Sequence, residues 1–261
     1  MKSVFTFAKK GNRFFKRFYT RLLFGIKIIF GRHSTLTVDL LERVEPLSRN
    51  YGFDRGWGFK TTGWGFAVDR YYVEKFLYQN RQYVKGRILE IGEDVYATRY
   101  AQLNETALEK PIVETLHIDG TEKDVVIIGD LTKPETLPEN RYDCFVCTQT
   151  FHVIYDIPKA LEGSYRLLKE GGVMLATVAG ISQICRCDMD RWGDYWRFTN
   201  KSLELLFKET KFSHVEIVPM GNVMSACAFL QGMVVDELPK RELLDVMDKD
   251  YQLLIGIKAV K

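Results

Sequence analysis

Along most of the chain, short apolar runs alternate with stretches whose apolar positions recur at helical spacing. Between residues 69 and 79 the side chains of Tyr72, Val73, Phe76 and Leu77 fall on one helical face, and Gly86 ends that segment. The run Arg87-Ile88-Leu89-Glu90-Ile91-Gly92 then reads as a buried strand fed by the helix. Further apolar runs follow at 113–118, 125–128, 142–146 and 173–178, separated by polar or helical stretches. A helix is expected over 157–168, with Gly171-Gly172 as its stop, and another over 202–208. Residues 212–218 and 251–260 have the character of two closing strands, with 222–238 helical between them. Such alternation predicts an α/β domain with a mostly parallel sheet and crossover helices on both faces.

The first quarter of the chain follows a different pattern. Phe14, Phe15, Phe18, Leu22, Leu23, Ile26, Ile29 and Phe30 approximate a helical apolar stripe interleaved with cations. Lys27 interrupts the run, which falls short of the roughly 20 apolar residues that span a bilayer. A basic amphipathic helix is expected, able to lie on an anionic membrane but not to cross it. A helix packing on the domain or on a partner, or a tail binding polyanions, is the alternative. Many glycines and aromatics from 31 to 66, without a period, read as a loop-rich linker. The predicted organisation is therefore a basic segment at 1–35, a linker or cap at 36–66 and a catalytic domain at 67–261.

Composition sharpens this division. The 261 residues are 46% apolar, enough for a sizeable core, and the formal charge is +3. Nine Lys and Arg residues precede the first acid, Asp39, so the remainder is net acidic. An acidic domain without a known binding module argues against nucleic acid as a partner. Five cysteines and no cleavable signal pattern point to reduced thiols and a cytoplasmic protein, peripheral on the inner membrane surface if the basic segment attaches there. Cys144 and Cys147, paired with Cys185 and Cys187, suggest zinc ligands. The first pair lies on a predicted strand, where residues three apart face opposite sides, so no metal is expected.

Candidate chemistry sits where strands end, because open α/β sheets bind ligands at their carboxyl edge. The first strand exits through Glu90-Ile91-Gly92-Glu93-Asp94, with a glycine for close approach and carboxylates able to accept hydrogen bonds. Lack of a complete G-x-G-x-x-G turn argues against a nicotinamide-dependent oxidoreductase. Gly129-Asp130-Leu131 follows the third strand, the fourth reads Tyr142-Asp143-Cys144-Phe145-Val146-Cys147, and "LLKEGGVMLATV" joins a helix to the fifth. In this order of signals the chain resembles class I S-adenosylmethionine-dependent methyltransferases from about residue 69 to its end. The "DYWRFT" segment at 194–199 is similar to bacterial members encoded with glycosyltransferases and acting in polysaccharide biosynthesis.

That resemblance implies a Rossmann-like, seven-stranded, mostly parallel sheet with an antiparallel last strand, and S-adenosyl-L-methionine as cofactor. It places Glu90 and Gly92 at the methionine end of the cofactor, Asp130 and Leu131 beside its adenine, and Gln149, Phe151 and His152 near its sulfonium. An acid at the end of strand two would hold the ribose hydroxyls. Asp119 is the first choice and Glu114 the second, since His117 falls at the family's usual acid position. His152 is the candidate general base, a histidine capping the following loop being the alternative, with Tyr155 and Asp156 behind it.

The stretch 185–199, "CRCDMDRWGDYWRFT", mixes Arg186, Arg191 and Arg197 with Asp188, Asp190, Asp194 and large aromatics. A lid over a polar acceptor is expected, with Tyr155, Asp194, Trp196 and Arg197 contacting substrate; an aromatic cluster sealing the domain is the alternative. Arg55, Asp69 and Tyr72 are placed to close the same site from the other side. The expected acceptor is a carbohydrate or lipid-linked glycan. A catalytically inactive binding or scaffold protein at the membrane surface is the competing reading, because the glycine turn is degenerate.

Overall fold

Seven strands form one sheet in the order β3-β2-β1-β4-β5-β7-β6 in a computed structural model of the chain, which describes residues 44–49, 51, 67–105, 110–120 and 126–261. The chain divides into two units, Met1–Pro46 and Leu47–Lys261, and the sheet belongs to the second. The basic segment expected at 1–35 and nearly all of the linker at 36–66 lie outside the described residues.

The described strands are β1 (Arg87–Ile91), β2 (Ile112–His117), β3 (Ile127–Ile128), β4 (Tyr142–Thr148), β5 (Leu168–Ala179), β6 (His214–Met220) and β7 (Leu254–Val260). Pairing is parallel among the first five, whereas β7 runs antiparallel to both β5 and β6. The described α-helices are α1 (Val68–Gln79), α2 (Val95–Gln102), α3 (Ile157–Leu167), α4 (Arg186–Arg191), α5 (Asn200–Lys208) and α6 (Val223–Leu230). The strands β4 and β5 are buried over most of their length, as parallel strands covered on both faces must be. Phe145, Met174 and Ala176 of these strands join Ile257 of β7 and Leu161, Leu203 and Phe207 of the helices in one apolar core.

Two sequence expectations shift for identifiable reasons. Helix α3 starts where Asp156 accepts a hydrogen bond from the Lys159 amide (3.2 Å) and ends at Leu167, short of the glycine pair. Gly171 and Gly172 instead lie inside β5: Gly171 has φ +75°, and a Cβ on Gly172 would meet the carbonyls of Lys169 and Tyr142 at 2.8 and 2.9 Å. They serve an irregular strand entry and not a helix cap. The helix expected over 222–238 stops at Leu230; Gly232 beyond it adopts φ +71°, where an added Cβ would collide with the Ser48 carbonyl, and only a 3₁₀ turn follows at Val235–Glu237.

The order places β1 and β4 side by side at the point where the chain switches direction across the sheet. A crevice at their carboxyl ends is the geometric consequence. No helix among the described residues is long and apolar enough to cross a membrane.

Candidate active site

A cavity of about 650 Å³ opens at the carboxyl ends of β1, β2 and β4. Gly92 lies on its wall with φ +80°, and a Cβ there would meet nothing within 4 Å, so the strand exit leaves its backbone bare toward open space. Glu90 does not line the cavity. Its buried carboxylate turns the other way and accepts from the amides of Tyr96 (3.3 Å) and Ala97 (2.6 Å) at the start of α2. Burial, with the charges of Asp94 and Glu93 nearby, pushes Glu90 up to about 8, against the pull of those two amides. This carboxylate seats helix α2 on the sheet, a function that the degenerate glycine turn does not disturb.

At the end of β2 the two acid candidates, Asp119 and Glu114, separate, with His117 between them in sequence. Glu114 sits lower in the strand, bonded to Arg87, Arg141 (2.7 Å) and the Tyr142 hydroxyl (2.7 Å), and so turns away from the cavity. Asp119 is half-exposed and is not on the cavity wall, whereas His117 and Ile118 are. The ring of His117 is buried, and its Nδ1 lies 2.9 Å from the Asp119 carbonyl oxygen and 3.0 Å from the Asp119 carboxylate. Past β3, Asp130 and Leu131 both line the cavity. Although burial alone would raise it, Asp130 is held below the usual carboxylate range by the hydroxyl and amide of Thr132 (2.7 and 2.8 Å) and by Lys133.

The exit of β4 carries the sharpest backbone feature. Gln149 has φ +49°, a left-handed conformation uncommon for a side chain of its length, fixed by its amide bonding the Thr177 carbonyl at 2.8 Å. It faces the cavity. Phe151 is packed in the core, and His152 lies just behind the wall, 93% buried by its 7% exposure. Among the described residues the imidazole Nδ1 has no hydrogen-bond partner, while Nε2 is 3.9 Å from the carboxylate of Asp188, which does line the cavity. That imidazole is the main influence holding Asp188 below the usual carboxylate range. Asp69 of α1 is buried close by with one oxygen unpartnered, and burial raises it. Tyr72 is wholly buried in α1 and stays away from the cavity; Arg55 lies outside the described residues.

Within 185–199 the structure divides what the sequence treated as one unit. Asp194, Trp196 and Arg197 are not on the cavity wall. The Asp194 carboxylate, fully buried, takes both terminal nitrogens of Arg197 at 2.5 and 2.9 Å, and Arg197 also bonds the carbonyls of Ser182 and Gln183. Trp196 donates its indole N–H to the Ile154 carbonyl at 3.0 Å, and its ring stacks on Tyr155. These residues pin the segment down, as do the amides of Tyr195 and Trp196 on the His152 carbonyl. The residues that do face the cavity are Asp188, Arg191, Trp192 and Tyr195, together with Tyr155 and Asp156. The sequence contained a signal for them: Asp188, Arg191 and Trp192 are three and four residues apart, hence on one face of the short helix α4 and its end. Among the described residues no cluster of His, Cys, Asp and Glu is placed to hold a metal; Cys144 and Cys147 are buried thiols.

The residues present suit S-adenosyl-L-methionine. An apolar wall from Ile91, Leu116, Ile118 and Leu131 flanks the bare backbone at Gly92, and Asp130, Gln149 and His117 supply polar groups. Residues 91–176 match the family model described as a methyltransferase domain. Similar solved structures include a methyltransferase from Archaeoglobus fulgidus (12% identity, TM-score 0.47), with 73% of this chain and 93% of that one covered. A methyltransferase from Aquifex aeolicus (15%, 0.44) is covered over 88% of its length and 72% of this chain. For phosphoethanolamine N-methyltransferase 2 of Haemonchus contortus, bound to S-adenosyl-L-methionine (16%, 0.46), the shares are 72% of this chain and 52% of that one. No protein of curated function matches the chain in sequence.

Strand order gives a Rossmann-like sheet, and residues 91–176 within it match a methyltransferase domain. That domain's match and the cavity's lining are what point to S-adenosyl-L-methionine as the cofactor.

Proposed function

We propose that this methyltransferase acts on a sugar hydroxyl carried by a glycan, a nucleotide sugar or a lipid-linked intermediate, in polysaccharide biosynthesis. The observation that carries the reading is the cavity rim. Tyr155, Trp192 and Tyr195 expose ring surface there beside Asp188, Asp156 and Arg191, a combination of stacking faces and hydrogen-bonding charges suited to a polar, ring-shaped acceptor. Bound cofactor supplies an activated methyl group and a neutral leaving sulfur. The protein's part is alignment and removal of one proton. In this reading the acceptor hydroxyl would bond to Asp188 on the wall, and the His152–Asp188 pair would take up its proton. Asp194, Trp196 and Arg197 act on the acceptor indirectly, by fixing the loop that carries Tyr195.

An acceptor screen with radiolabelled cofactor tests the assignment: transfer to nucleotide sugars or lipid-linked saccharides is the expected result. Methylation of proteins or RNA and of no carbohydrate would overturn it. We further propose that residues 1–35 hold the enzyme on the inner membrane surface and take no part in chemistry, since their cations and aromatics are remote in sequence from every cofactor motif. Truncation should abolish flotation with anionic vesicles and leave S-adenosylhomocysteine affinity unchanged; equal flotation of both forms would count against it.

A further inference from the structure

Two polar side chains are buried behind the cavity wall with their bonding capacity incomplete. Asp69 and His152 are 9% and 7% exposed, and among the described residues Oδ1 of the first and Nδ1 of the second have no hydrogen-bond partner. Asp69 shares a helical face with Tyr72 and Phe76, and Phe76 covers Gly256 of β7, the register partner of Thr177 on β5. Since α1 leads down to the start of β1, Asp69 stands roughly 10 Å nearer the carboxyl ends of the strands than Phe76 does. His152 follows β4 at that same end, where its charge acts on Asp69 and on Asp188 alike. The hydroxyl of Thr177, on the α1 face of the sheet, is a third buried polar atom without a partner among the described residues. Buried polar atoms left over in this way are commonly met by an ordered water.

The protons can be placed. Burial raises Asp69, against the pull of Arg70, and so favours its neutral carboxyl. Asp188 is lowered, so an anion lies 3.9 Å from Nε2 of His152 and favours hydrogen on that nitrogen. The lone pair of a neutral ring then falls on Nδ1, which calls for a donor.

We infer that the neutral Asp69 carboxyl donates, through one buried water, to Nδ1 of His152 and so fixes the ring with its proton on Nε2, toward Asp188. This divides the work of the proton-handling pair. His152 is a positioning residue that orients the Asp188 carboxylate, and the proton leaving the acceptor's hydroxyl oxygen passes to an Asp188 oxygen. That division rests on the acceptor reading given above; the tautomer does not.

Long-range ¹H–¹⁵N spectra of the full-length labelled protein read the tautomer without any acceptor, and His152→Ala identifies the signals among those of the four histidines. The unmodified ring should show a protonated Nε2 and a bare Nδ1. Asp69→Asn, whose amide is neutral and still donates, should keep that pattern and most of the turnover. Asp69→Ala should give a mixture of tautomers and turnover slower by about tenfold, the scale of one hydrogen bond, with S-adenosylhomocysteine affinity unchanged. A proton on Nδ1 in the unmodified protein, or a pattern that survives Asp69→Ala, would overturn the inference. So would a high-resolution crystal structure with no water between the two side chains. Should Asp69→Ala fail to fold, Asp69→Asn decides alone, because a ring that changes tautomer there would show that Asp69 acts as a carboxylate. The expected tautomer in an enzyme that methylates no carbohydrate would overturn the acceptor reading and leave the ring assignment standing.

Discussion

Two buried glutamates one register step apart on neighbouring strands show how differently side chains directed toward the two ends of this sheet are matched. Glu114, on β2, lies toward the amino end and is bonded by Arg87, Arg141 and Tyr142. Glu90, on β1 and paired in register with Thr115, lies toward the carboxyl end and has two backbone amides but, among the described residues, no paired cation. Burial alone would raise both. For Glu114 the hydrogen bonds from Arg141 and Tyr142 and the charges of both arginines reverse that push and lower it, whereas Glu90 stays raised to about 8. The same contrast runs along both edges. Asp143, at the amino end, is matched by Lys169 and the Arg87 amide, while at the carboxyl end Asp69 and His152 each keep a buried polar atom unpartnered. A sheet end devoted to stability leaves few polar groups over; the end that works on a ligand leaves several.

The largest expected effect follows from Glu90. Its folded-state value is raised, so the native state holds a proton that the unfolded chain releases from about pH 4.5 upward. Its contribution is present below that pH and is lost as pH rises toward about 8, at up to roughly 1.4 kcal/mol per pH unit. Urea unfolding midpoints of the cofactor-free protein should therefore fall across that window, and Glu90→Gln should flatten the slope. An unchanged slope in the variant would show that Glu90 ionises as freely as Glu114, and the contrast would collapse.

Next in size is the proton-handling pair. His152→Ala and Asp188→Asn should each slow transfer to the identified acceptor by about a hundredfold, with the loss in the chemical step and with S-adenosylhomocysteine affinity unchanged. Since His152 has no hydrogen bond at Nδ1 and Nε2 lies beyond hydrogen-bond reach of Asp188, its removal should cost little stability beyond lost packing. If His152→Ala unfolds the protein and Asp188→Asn retains full turnover, the imidazole belongs with the structural groups.

Glu114 supplies the opposite sign to Glu90. Its folded-state value is lowered, so its contribution is present above about pH 4.5 and is lost as pH falls below that. Glu114→Gln should cost about 2 kcal/mol at neutral pH, moderated because both arginines are partly exposed, and should remove part of the acid-side loss. Cofactor affinity should not move. A variant with normal stability and weakened S-adenosylhomocysteine binding would return Glu114 to the ribose site.

How far the sequence reached differs between fold and site for a physical reason. Strands β1, β2, β4 and β7 were legible because apolar runs of that length must be buried somewhere, and a parallel order follows from the helices between them. Short pieces were not: α2, with the sequence VYATRYAQ, and the six-residue α4 are too short for a period to stand out. In the site, Gly92, Asp130, Leu131, Gln149 and Tyr155 were named from the ends of strands and do line the cavity. Glu90 and Asp119 also sit at strand ends, and Asp194, Trp196 and Arg197 in a segment rich in aromatics and charges, but neither a strand end nor a composition says which way a side chain turns. The carboxylate of Asp194 was open to either a substrate or an arginine until Arg197 was seen three residues on, bonded to it through both nitrogens.

The smallest effect separates two arginines of the same segment. Arg197 donates to the buried Asp194 through both nitrogens and to the carbonyls of Ser182 and Gln183, so its fork spans partners on two sides. A lysine keeps the charge but places it at one point, and cannot reach all of these acceptors at once. Arg197→Lys should therefore cost about 1–2 kcal/mol, read as a lower urea midpoint, because one or two buried acceptors lose their donor. Its affinity for S-adenosylhomocysteine should stay unchanged, and turnover should fall only as far as the loop loosens. Arg191 lies on the cavity wall beside Trp192, with its guanidinium 5.6 Å from that ring, and its replacement by lysine should leave the midpoint within about 0.5 kcal/mol. The reverse pattern, a stable Arg197→Lys that has lost turnover, would make Arg197 the residue that meets the acceptor. The loop from 185 to 199 would then be a lid along its whole length, with no braced half.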